Sequence, residues 1–229
     1  MRRATIFVTA SPHKNVTHFP AKRDGRKENG SNTQAALESA ALHWFSEHGF
    51  EKASVGAICA QAQVTAGALY HHYGDKKGLF AAVVEQLDAQ LVRAAAQANA
   101  TVMASGASPW DGFLASIATV LQAGANSQLR RLMLVDAPAV LGPQQWGDIR
   151  KRQGLGAMQL SISALQAHGI FERHDASRLA CIILGALYGA MESLPSDEAL
   201  MAEGLQDASR CIHAMLHGLR HERVDGVDS

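Results

Sequence analysis

Between Ser54 and Tyr73 the chain carries two runs of helix-forming residues, separated by "AQAQV". Helices this short do not persist alone in water, because the first turn fixes several dihedrals for a single hydrogen bond. They must dock on something longer, which leaves one face buried and the other free. The preceding sequence supplies the support. Leu37, Ala40, Ala41, Trp44 and Phe45 recur at i, i+3, i+4, i+7 and i+8, the stripe of one buried helix face. Asn32 or Thr33 reads as the cap of that helix and Gly49 as its end.

Local signals place the next three helices. The second starts after Ser54 and includes Val55, Ile58 and Cys59; the third starts after Thr65 and includes Leu69 and Tyr70. Asp75 caps a fourth that carries Leu79, Val83, Leu87 and Leu91. No useful strand-like alternation follows residue 31. Breaks near "SGASP", "DAPAVLGP", "AHGIFERHD" and "SLPSD" divide the rest into about five more helices. The expected fold is all-α, with about nine helices: a three-helix unit whose helix-turn-helix spans residues 54–73, a connecting helix, and an all-helical C-terminal domain. The boundaries read as 31–91 and 92–220, with a flexible tail at 221–229.

Several classes are excluded or disfavoured. No apolar run approaches the roughly 20 residues of a membrane span, and the N-terminal "MRRATIFVTASP" is too short in its apolar part for a signal peptide. Cys59, Cys181 and Cys211 are odd in number and far apart, so they read as reduced thiols buried in helices of a cytoplasmic protein. His71 and His72 are adjacent and point about 100° apart on a helix, which does not suit chelation of one metal. No glycine-rich phosphate loop, HExxH or activated nucleophile is present. Neither a cofactor nor a metal is expected, and the chain does not read as an enzyme.

Residues 1–30 read differently from the rest. Arg2, Arg3, Lys14, Lys22, Arg23, Arg26 and Lys27 face only Asp24 and Glu28, with Pro12, Pro20, Gly25 and Gly30 interspersed. This pattern describes a flexible basic arm, or a mis-assigned start that adds no function.

The stretch "GFEKASVGAICAQAQVTAGALYHHYGDKKGLF", residues 49–80, resembles the DNA-binding head of the TetR family of transcriptional regulators, and "LESAALHWFSEH" resembles that family's first helix. The order of tyrosine, histidine, aromatic and lysine in "LYHHYGDKKGLF" carries the likeness. "DAPAVLG…W…GLG" is similar to one branch of the family. The resemblance implies a DNA-binding set of Ser54, Thr65, Ala66, Gly67, Tyr70, His71, His72, Lys76 and Lys77. In that set Thr65 caps the recognition helix and Gly67 lets the backbone approach DNA. Tyr70, His72 and Lys76 donate to phosphates, His71 faces the major groove, and Lys77 is a secondary candidate.

This sequence departs from the family in places. Gln63 stands where the family usually has glycine; a left-handed conformation there costs roughly 1 kcal/mol. Gly56 weakens the second helix, and Ala66 offers bases only apolar contact. Residues 31–80 hold Lys52, Lys76 and Lys77 against Glu38, Glu47, Glu51 and Asp75. Phosphate attraction from the head alone is therefore thin, and the arm is expected to supply charge along the adjacent minor groove.

In the C-terminal domain, residues 175–194 are apolar nearly all round, with Gly185 and Gly189 four apart. Met201, Leu205, Ala208, Ile212, Met215 and Leu219 then form a heptad-type seam. The family pairs two chains here, and the expected dimer interface is Leu184, Leu187, Met191, Leu205, Ile212, Met215 and Leu219. A ligand pocket is expected to involve Phe113, Met133, Trp146 and Met158. The scarcity of acidic residues in that stretch weighs weakly against a cationic drug. The function that follows is a sequence-specific, homodimeric DNA-binding transcriptional regulator, cytoplasmic and nucleoid-associated: a repressor released from a palindromic double-stranded operator by a small-molecule inducer. The alternative is a helical ligand-binding or scaffold protein with a degenerate head.

Overall fold

The computed structural model describes residues 25–220, with side chains described from Asn32 onward. Among these residues the chain forms ten α-helices and one π-helical turn. They are α1 (Gly25–Lys52), α2 (Val55–Ala62), α3 (Ala66–Tyr73), α4 (Lys76–Ala104), α5 (Pro109–Ala123) and α6 (Ser127–Arg131), then the π turn (Leu132–Asp136). After it come α7 (Ala137–Arg152), α8 (Gly154–Ala167), α9 (Ala176–Glu192) and α10 (Glu198–His217). An isolated antiparallel bridge joins Phe171 to Arg220. The all-α expectation holds, and the count exceeds nine because the five-residue α6 runs straight into the π turn.

Helix starts follow the local chemistry where a short polar side chain is available. The side chains of Ser54, Thr65 and Asp75 accept from the backbone N–H groups of Ala57, Ala68 and Gly78. Each thus satisfies one of the donors a helix leaves unpaired at its start. The start of α1 is a correction. It lies at Gly25, not at Asn32 or Thr33, so residues 25–30 of the expected arm are helical and Gly30 sits inside the helix. A glycine costs a helix interior only about 1 kcal/mol, which does not stop a helix anchored by a long buried face. The rest of the arm and the tail at 221–229 lie outside the described residues.

The cysteine reading is corrected as well: Cys59 is buried, but Cys181 and Cys211 are exposed. The expected boundary at 91/92 falls inside α4, a single helix of 29 residues and thus about 44 Å long.

Head and body share apolar packing. Leu37, Ala41 and Phe45 of α1, Ile58 of α2, Leu69 of α3 and Leu79, Phe80, Val83 and Val84 of α4 form one buried cluster with Leu132, Ala137, Leu141, Trp146 and Ile149. The eight-residue α3 depends on this contact. Leu69 is fully buried, and truncating such a leucine costs about 2–5 kcal/mol. A second cluster joins Trp110, Phe113, Ile117, Ile162, Phe171, Ile183, Leu187 and Leu216, and forms the body's core.

The first turn of α4 needs a glycine for space. A Cβ at Gly78 would collide with the carbonyl oxygen of Tyr73 and lie 3.1 Å from its carbonyl carbon. Gly78→Ala should therefore lower thermal stability by about 2 kcal/mol, as overpacked sites do. Unchanged melting of that variant in a calorimeter would contradict this packing.

Candidate nucleic-acid interface and ligand cavity

The helix-turn-helix is closed by a left-handed residue. Gln63 has φ 57° and ψ 38°, as the glycine-less turn requires. Its N–H bonds to Ala60 O at 3.2 Å, and the N–H of Val64 bonds to Cys59 O at 3.0 Å. Val64 and Cys59 also belong to the head's apolar cluster. Both bonds and this contact are the terms of a Schellman cap, and they offset the strain at Gln63.

With Leu69 buried and Val64 half-buried, α3 turns its other face outward. Thr65, Ala66, Gly67, Tyr70 and His71 are exposed, as is Ser54 at the start of α2; His72 is half-buried. Tyr70 is 53% exposed, so its ring is not core filler. A Cβ at Gly67 would meet nothing closer than Thr65 Oγ1 at 3.7 Å. No neighbour among the described residues demands a glycine there. The partner tyrosine, Tyr73, is structural instead. Its hydroxyl donates to Glu38 at 2.9 Å, and burial together with that carboxylate raises its pKa.

The two lysines separate sharply. Lys77 is exposed. Lys76 was expected to meet phosphate, and its placement corrects that. Its ammonium donates to the carbonyls of Phe50 at 2.9 Å, Ala53 at 3.2 Å and Glu51 at 3.4 Å, and lies 4.3 Å from the Phe50 ring centroid. Three donors thus meet three carbonyls at the end of α1, where Gly49 has left the helix with φ 76°. From the body side, Arg131 donates to the carbonyls of Phe45 and Ser46 at 3.1 and 2.8 Å, and pairs with Asp136 at 3.4 Å.

The expected dimer seam is divided in its burial. Leu184, Leu187, Met191 and Ile212 are buried inside the single chain, and Leu205, Met215 and Leu219 are half-buried against its clusters. The face of α9 that points away carries Cys181, Ile182, Gly185 and Gly189.

An apolar cavity of about 480 Å³ lies between α4, α5 and α8, with Leu184 and Tyr188 of α9 contributing. Phe113 and Met158 line it. Met133 and Trp146 do not. They border a separate void of about 30 Å³, because both pack into the junction of head and body. Sequence reasoning missed Asp88, which borders both spaces. A signal was available: Asp88 sits four residues after Val84 and three before Leu91, in phase with the buried stripe of α4.

Comparison with known proteins agrees with this architecture. Residues 37–83 match the family described as "Bacterial regulatory proteins, tetR family", and residues 110–219 match "Tetracyclin repressor-like, C-terminal domain". A crystal structure of a TetR-family transcriptional regulator from Pectobacterium atrosepticum is 33% identical, covering 86% of this chain and 98% of that one, with a TM-score of 0.69. The chain belongs to the TetR family of transcriptional regulators and is a DNA-binding regulator with a helix-turn-helix head. Among curated proteins, the HTH-type transcriptional regulator UidR of Escherichia coli K12 is 36% identical over 63 residues, 28% of this chain; the match spans about a third (32%) of that relative's length. The structure of RolR in complex with resorcinol, 17% identical, covers 83% of this chain and 90% of its own, and shares the fold at a TM-score of 0.62.

The split between the lysines is testable. Lys76→Met should cost about 2 kcal/mol of stability, since it strands carbonyls at the end of α1, and leave the salt dependence of DNA binding unchanged. Lys77→Ala should leave stability unchanged and reduce the slope of log affinity against log salt by about 1. Equal slopes for both variants would restore Lys76 to the interface.

Proposed function

We propose that this regulator is a homodimeric repressor that binds a palindromic operator and is released when a small molecule enters the α4–α5–α8 cavity. The observation that carries the reading is the division of labour on α3. Leu69 is fully buried, while its neighbour Tyr70 is a half-exposed aromatic beside exposed Thr65, Ala66, Gly67 and His71. A helix held from behind with its N-terminal face open has the form required to enter a major groove. In this reading Ser54, Thr65, Tyr70, His72 and Lys77 contact phosphates, while Ala66, Gly67 and His71 meet base edges. Residues 31–91 act as the head and 92–220 as the ligand-binding and pairing domain.

The outward face of α9 supports pairing. Ile182 is 57% exposed, and Cβ atoms at Gly185 and Gly189 would meet nothing within 4 Å. Nothing among the described residues uses these positions, and small residues let a second helix approach closely. Two chains joined there present two heads, which suits two half-sites about one helical turn apart. Ligand control then needs only a change in the separation of the heads.

Selection of bound DNA from a random pool tests the whole reading. The expected result is a palindrome with half-sites spaced by one or more helical turns; recovery of no sequence, even at low salt, favours a degenerate head. Within a recovered operator, Tyr70→Phe should weaken all sequences about equally, by on the order of 1 kcal/mol. His71→Ala should change base preference more than overall affinity. In sedimentation, Ile182→Asp should convert the dimer to a folded monomer; a dimer unaffected by that change places the interface elsewhere.

A further inference from the structure

The ligand cavity has an uneven chemistry. Its wall is largely apolar, and no lysine or arginine is among the described residues that line it. It holds one buried carboxylate, Asp88, only 3% exposed. That carboxylate receives one long hydrogen bond, 3.3 Å from the N–H of Gly154 at the start of α8. A Cβ at Gly154 would press within 3.2 Å of Asp88 Oδ1, so the glycine is what admits the backbone so close.

Two further charged groups lie near Asp88, and the charge of Arg150 acts on it. Arg150 of α7 stacks 4.6 Å from the Tyr188 ring and does not line the cavity. Glu85, one turn earlier on α4, is held by Arg152 through two 2.9 Å bonds. Tyr188 of α9 closes the same end of the cavity. Among the described ion pairs within 4 Å, none includes Asp88. Burial raises the Asp88 pKa, with Glu85 adding to the rise, while Gly154 and Arg150 oppose it. Asn99 and His168 add polar groups to the wall, and both side chains carry N–H donors. The hydroxyls of Ser116 and Ser161 donate to the carbonyls of Ala95 and Ala157, which leaves their lone pairs facing outward.

At the Asp88 end a ligand carboxylate or phosphate would meet a like charge, with no lysine or arginine among the described lining residues to offset it. A ligand with no donor would leave Asp88 buried and unpaired, at a desolvation cost. We infer that the cavity takes an apolar molecule bearing one amine, with its ammonium paired to Asp88 at the end nearest the head and its apolar body lying along Leu91, Ala95, Phe113 and Met158. The lining face of α4 runs from Asp88 to Met103, about 22 Å, so an elongated body fits better than a round one. This inference rests on the cavity being the ligand site proposed above.

The test uses the full chain and three probes that share one aromatic body: naphthylethylamine, naphthylethanol and naphthylacetate. In isothermal titration the amine should bind at least ~10-fold tighter than the acid, with the alcohol between them. Asp88→Asn should weaken the amine ~10-fold and move the alcohol less than ~3-fold. Ala157→Phe, which fills the cavity, should abolish binding of both while operator binding persists. The acid binding as tightly as the amine, or Asp88→Asn leaving the amine unaffected, overturns the inference. So does the absence of binding by all three probes. Operator binding is measured on the same preparations without ligand, so a protein that grips DNA but ignores the amine refutes only the ligand class.

Discussion

The end of α1 is the joint on which the rest of this structure depends. A helix finishes with carbonyls that have no partners, and here two cations from different parts of the chain reach them. Lys76 of α4 holds Phe50, Glu51 and Ala53, while Arg131 of α6 holds Phe45 and Ser46. Charged donors to such carbonyls are each worth about 1.5–3 kcal/mol. One clasp fixes α4 against the head and the other fixes the body against the same short stretch. Gln128 adds a third tie from the body, donating to Glu47 at 2.8 Å.

Consequences for function follow from that joint. The recognition helix has too few residues to hold its own shape, so its orientation is whatever α1, α2 and α4 impose on it. The same apolar cluster that receives Leu69 also receives Trp146 and Ile149 of α7. Asp88 borders both the large cavity and the small void beside Trp146 and Met133. A ligand seated against Asp88 therefore lies one packing layer from the residues that set the angle of the head. Packed layers of this kind shift between discrete arrangements more readily than they stretch.

Much of the head was legible from sequence because its determinants are local. Ser54, Thr65 and Asp75 cap the helices that follow them through bonds spanning three residues, and the missing glycine at Gln63 foretold the one left-handed non-glycine among the described residues. What was not legible required knowledge of where a side chain turns. Lys76 sits beside Lys77 in sequence, yet one folds back onto α1 and the other stays in solvent. The seam of Leu205, Ile212, Met215 and Leu219 has the period of a helix contact, but period does not say whether the contact lies within the chain or between chains. The more apolar stripe was used inside, and the glycine-bearing face of α9 was left outside. Asp88 hides for the same reason: a carboxylate on a buried stripe gains meaning only once α8 brings Gly154 to it.

The central claim is that the exposed face of α3, held by the joint at the end of α1, is the surface that meets DNA. Hydrogen exchange on the full chain, with and without its selected operator, tests it most directly. The account predicts new protection at the amides of residues 65–71, with little change in the body half of α4. Protection confined to the body, with α3 exchanging as freely as in the unbound protein, would contradict it.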